Sequence, residues 1–99
     1  MCPSVLFLIL SERAWKHIRG RHPEVSPYKH LIGEVLAAPE LIIRGKRAES
    51  KAVRHVPKTH LGPKHLVVVY REASGQKHII TAYFTSDLKK IKGDIVWRA

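Results

Sequence analysis

Apolar residues recur along this chain in two different periods, and the change falls near residue 40. Before it the spacing is helical. Ala14, Trp15 and Ile18 form a short stripe, and Leu31, Ile32, Val35 and Leu36 follow the i, i+1, i+4, i+5 pattern of a buried helix face. Ser11 stands where an N-cap belongs, with Glu12 in the first turn, where a carboxylate suits the helix dipole. Gly20 and then Pro23 predict the end of that first helix. Ser26-Pro27, a capping residue followed by proline, predicts the start of the second, and Pro39 its end. In front of both, Ser4 to Leu10 reads as a buried strand. Its apolar run from Val5 is too short to span a bilayer and lacks the flanks of a signal peptide.

After residue 40 the period is two. Leu41 to Arg44 is a short strand, and Gly45 to Ser50 a polar loop. Lys51 to Val56 alternates, with Ala52, Arg54 and Val56 on one side and Lys51, Val53 and His55 on the other. Pro57 and Gly62-Pro63 punctuate a loop. His65 to Arg71, a turn at Ala73-Ser74-Gly75, and Gln76 to Thr85 make a hairpin. Alternation puts Ile79, Thr81 and Tyr83 on one face, and Ile80, Ala82 and Phe84 on the other, which is wholly apolar and predicted to be core. The tail admits two readings: a helical turn through Leu88 and Ile91, or an edge strand from Asp94 to Trp97.

Helices first and antiparallel strands after them predict an α+β fold. The two N-terminal helices are expected on one face of the sheet, the other face being free. Ninety-nine residues make one domain, residues 1–99.

Composition narrows the function. Eighteen Lys and Arg stand against eight Asp and Glu, a formal net charge of +10, spread along the chain with no basic tail. Such a field attracts nucleic acid, an anionic surface or an acidic partner. The single cysteine, Cys2, forbids an intrachain disulfide and a thiolate zinc site, and suits a reducing compartment such as the cytoplasm. No Walker loop, dinucleotide fingerprint or nucleophile elbow is present. Carboxylates are too few and scattered for paired-carboxylate hydrolysis or a two-metal nuclease. His55, His60 and His65 recur every five residues, but the segment mixes strand and Pro/Gly loop, so no metal site is expected.

The densest chemistry is Lys16-His17-Ile18-Arg19-Gly20-Arg21-His22-Pro23-Glu24. Imidazoles move protons near neutral pH, and guanidinium is a forked cation suited to phosphate. His17 lies ~60° from Ala14 on the helical wheel, and Arg21 is on His17's side if the helix continues. His22 precedes a proline, and its placement depends on where the helix ends. Glu24 is either an orienting carboxylate or a solvated one. Thr81 and Tyr83 add a hydroxyl and a phenol, and Arg54 is a candidate for the same face. RNA carries its own nucleophile, the 2′-hydroxyl. Cleaving it needs a base, an acid and a cation for the phosphorane, and this inventory meets that need without a cofactor.

The segment Trp15-Lys16-His17-Ile18 with Arg21-His22-Pro23-Glu24, an arginine-bearing strand and Thr81-Ala82-Tyr83 resembles the BECR-type (barnase, EndoU, colicin and RelE-like) nuclease domains, in the phage-associated and polymorphic-toxin branch. The likeness runs from about Ser11 to Trp97. It implies an α+β fold with two N-terminal helices packed on a roughly four-stranded antiparallel sheet, and RNA cleavage by a toxin or effector. His17, His22, Thr81 and Tyr83 would be catalytic, and Arg21 and Arg54, with Lys16 and Arg19, would hold phosphate or RNA. RNA is then the expected substrate, an acidic antitoxin or immunity protein a possible partner, with no membrane role. Two other classes stay open: a non-catalytic nucleic-acid-binding module, with Tyr83 and Tyr70 as stacking aromatics, and a basic interaction protein.

Overall fold

A computed structural model describes residues 7–99. The elements run β1 (Phe7–Ile9), α1 (Glu12–Arg21), a 3₁₀ segment (Pro23–Tyr28), α2 (Lys29–Ala37), β2 (Leu41–Arg44), β3 (Ser50–Val56), β4 (Lys64–Ala73), β5 (Gln76–Thr85), a 3₁₀ turn (Leu88–Lys90) and β6 (Asp94–Arg98). The fold is α+β, as the change of period predicts. The sheet, however, has six strands, in the order β1-β5-β4-β3-β2-β6, and it is mixed, because β1 pairs with β5 in parallel. The four antiparallel strands that the resemblance implies are too few, because the short strands at the two ends of the chain, β1 and β6, also join the sheet as its edges. A short run shows that a strand exists but not which sheet edge it pairs with. Of the predicted first strand, residues 4–6 lie outside the described residues.

Ser11 caps α1 as expected, its side chain accepting the Ala14 N–H at 3.1 Å. Gly20 does not stop the helix. It runs one residue further, and His22 closes it, donating its backbone N–H to the Ile18 carbonyl at 2.7 Å. Ser26-Pro27 does not start α2 either. Pro23 opens a 3₁₀ segment through Tyr28, and α2 begins at Lys29.

The helices cover one face of the sheet. Ile18, Val25, Ile32, Val35 and Leu36 pack on Ala52, Leu66, Val68, Tyr70 and Ala82. The other face is not free, contrary to expectation. Between β5 and β6 the chain crosses it as a strap, and Ile91 seats on Ile43, Val53, Val67 and Val69 to form a second core. Both readings of the tail hold in succession: the 3₁₀ turn sits within this strap, and the edge strand follows it.

Two bulges set which side chain meets which face. Tyr70 pairs with Ile79 but Val69 pairs with Thr81, so Ile80 is an extra residue in β5. Simple alternation fails there. Ile79 turns to the helix side and is buried, whereas Ile80, expected in the core, is 40% exposed. In β6, Ile42 pairs with Trp97 and Ile43 with Ile95, leaving Val96 as the extra residue.

Gly93 joins the strap to β6 at φ +127°, and a Cβ there would meet the Arg44 carbonyl oxygen and the Ile43 side chain. Gly93→Ala should therefore lower the unfolding free energy by about 1–3 kcal/mol, read as a lower urea midpoint.

Candidate active site

Among the described residues β1 pairs with β5 at Gln76, Lys77 and His78, and none adds a strand beside the second half of β5 on that side. α1 packs there, held by the fully buried Ile18. At His22 the chain leaves the helix with φ −133° and ψ 63°, and Pro23 fixes the new direction. This turn carries the His22 ring to Tyr83, with ring centroids 5.7 Å apart. His17, one and a half turns back, presents its ring edge-on to His22 at 6.3 Å. Glu24 Oε2 lies 3.8 Å from His22 Nδ1.

Tyr83 lies on the strap side of the sheet, opposite Val67. Burial pushes its phenol above the ordinary value, so at neutral pH it is a hydrogen-bond donor. Thr81 shares that face, and its buried hydroxyl has no hydrogen-bond partner. Thus the end of α1 and β5 bring His17, His22 and Tyr83 together, while Thr81, two residues from Tyr83 along β5, keeps its hydroxyl enclosed from solvent. Arg21, exposed and ~40° from His17 around the helix, projects on the same side. Lys16 and Arg19 are exposed but lie ~100° and ~160° from His17, so they face elsewhere.

Arg54 does not join them. It pairs with Leu66, a residue of the helix-side core, and so projects from the face opposite Tyr83. Its Nη1 donates to the Ala38 carbonyl at 2.7 Å and satisfies the end of α2. Tyr70 is likewise buried on the helix side and offers no ring to a base.

Sequence reasoning missed a second pair of imidazoles. His55 and His65 face each other across β3 and β4, with ring centroids 5.0 Å apart. The signal was available: equal spacing about His60 is what a hairpin centred there produces. His60 itself stacks on Tyr28 at 5.7 Å instead of joining them. His65 Nδ1 is buried without a partner, and its residue pairs with Thr85, two places from Tyr83. Among the described residues no three His, Cys, Asp or Glu side chains are grouped as a metal ion would need.

His17 is exposed, whereas His22 and Tyr83 are half-buried. Concavities elsewhere on the protein include an apolar groove of about 530 Å³ at Leu10, Pro27 and Ile32 and a basic pocket of about 340 Å³ at Lys46, Arg47 and Lys92. Chemically, the group offers two imidazole rings and a neutral phenol, with an exposed arginine on the same side of the helix as His17.

Arg54→Ala should cost about 1–2 kcal/mol of stability in denaturant unfolding, while the ring NMR shifts of His22 and Tyr83 stay in place. Burial raises both Tyr70 and Tyr83. Their neutral forms are favoured in the fold, so the stability they contribute is present below about pH 10 and lost as pH rises beyond it. An absorbance titration should show two phenols ionising late, with unfolding midpoints falling over the same range. No helix among the described residues is long and apolar enough to cross a membrane. Comparison with protein families, curated proteins and solved structures finds no match to this chain.

Proposed function

We propose that this protein is a metal-independent endoribonuclease of toxin or effector type. The observation that carries the reading is the gathering of His17 and His22 against Tyr83, from the end of α1 and from β5. In the proposed reaction the 2′-hydroxyl oxygen attacks phosphorus as a base takes its proton. The P–O5′ bond breaks, an acid protonates the leaving 5′-oxygen, and a 2′,3′-cyclic phosphate remains. His22, with Glu24 beside its Nδ1, is assigned as base, and the more exposed His17 as acid. Tyr83 donates a hydrogen bond to a phosphate oxygen, and Arg21 supplies positive charge to the phosphorane; the Thr81 hydroxyl, enclosed from solvent, packs beneath this site rather than touching the phosphate. Arg54 has no part. The likeness to BECR-type nuclease domains supports the same chemistry, and the +10 charge suits RNA as substrate and an acidic antitoxin or immunity protein as partner in the cytoplasm.

One observation favours a second reading, a nucleic-acid-binding module without catalysis: the histidine cluster lines neither the apolar groove nor the basic pocket, whereas catalytic sites are usually concave.

The test is incubation with single-stranded and structured RNA in EDTA. Cleavage to cyclic phosphate ends is expected, with DNA left intact. His17→Ala and His22→Ala should each slow it about 10²- to 10⁴-fold, and Tyr83→Phe about 10²-fold. Intact RNA with the wild-type protein, or cleavage by either histidine variant at the wild-type rate, would sink the assignment. Binding with steep salt dependence and no cleavage would establish the second reading.

A further inference from the structure

The basic pocket lies at the far end of the strap from Tyr83. Two segments build it: the turn Gly45 to Glu49 between β2 and β3, and Lys92-Gly93 at the end of the strap. Lys51 joins them, its Nζ donating to the Lys92 carbonyl at 2.7 Å. Lys46, Arg47 and Lys92 remain exposed around the opening, and Arg71 reaches the Arg47 carbonyl at 3.4 Å. The only carboxylate lining it, Glu49, is turned into its own loop, where it accepts the Arg47 backbone N–H at 2.9 Å. Backbone hydrogen bonds hold that carboxyl below its ordinary value, with Lys51 and Arg71 adding to the effect. It is ionised at neutral pH, and four cations still outnumber it.

The strand register connects this pocket to the histidine cluster. Lys51 pairs with Val69, which pairs with Thr81, and Tyr83 is two residues further along β5. At ordinary sheet spacings Lys51 and Tyr83 are about 12 Å apart at Cα. The strap lies over the valines between them. It turns Ile91 down and leaves Lys89 and Lys90 exposed above. A polyanion leaving the histidine cluster therefore meets lysines along the strap before it reaches the pocket.

We propose that the Lys46–Arg47–Lys51–Lys92 pocket is a phosphate subsite that holds the nucleic acid backbone a few nucleotides from the scissile bond. The proposal rests on the ribonuclease reading for the scissile bond, and otherwise on the pocket alone. A nucleic acid fits better than an acidic protein. The pocket presents cations and backbone but none of the aromatic anchors that carry protein interfaces, and it continues a line of charge toward the histidine cluster.

The test uses a single-stranded DNA oligonucleotide, which lacks the 2′-hydroxyl, so binding is read without cleavage. Removing two cations with Arg47→Gln and Lys92→Gln together should weaken binding about tenfold and lower the salt-dependence slope by about 1. A control pair on the helix layer, Arg13→Gln with Lys29→Gln, should change affinity less than about twofold. The proposal is overturned if the slope is unchanged, if the control weakens binding as much, or if a polyglutamate peptide binds the same cations more tightly than the oligonucleotide. If the binding results hold while the wild type cuts no RNA, the subsite stands and the ribonuclease reading alone fails.

Discussion

The structure turns on β4. Leu66, Val67, Val68, Val69 and Tyr70 are all buried, so this strand needs apolar cover on both faces. One face receives the helices. The other receives Ile91, brought across by the strap. Each cover also positions chemistry. Burying Ile18 places α1 along β5 and delivers His22 to Tyr83. Seating Ile91 places Lys92 beside Lys51. The residues that could act on a ligand thus sit at the margins of two ordinary hydrophobic seams.

Much of this was legible from the sequence. Ser11 as N-cap, the limits of β2 and β5, and the opposite phases of Arg54 and His55 within β3 follow from local chemistry and alternation. The relative phase of two strands is different, because it depends on register. Nothing local tells that Arg54 sits over Leu66 while Tyr83 sits over Val67. The same limit hid the bulge at Ile80, since an inserted residue looks like any other β-branched residue in a strand. His22 was ambiguous for a related reason. Its direction follows from a helix that runs past Gly20, and the burial of Ile18 outweighs glycine's weak preference to end it.

The histidines show how one spacing serves two interpretations. Five-residue intervals at His55, His60 and His65 suggest a ligand series when read as a line. Folded about His60, they become a facing pair and a loop residue stacked on Tyr28. Sequence distance alone does not distinguish a ligand set from hairpin symmetry.

The bulge at Val96 has a consequence for how copies of this chain behave at high concentration. β6 is the outer strand, all of its residues are exposed, and three of them are Ile95, Val96 and Trp97. A straight edge of that composition would be a template for another strand. The extra residue shifts the pleat by one halfway along β6, so an incoming strand that matches Asp94 and Ile95 is out of phase with Trp97 and Arg98. Combined with mutual repulsion between molecules that each carry a charge of +10, this mismatch gives the domain colloidal stability that its apolar rim alone would deny it.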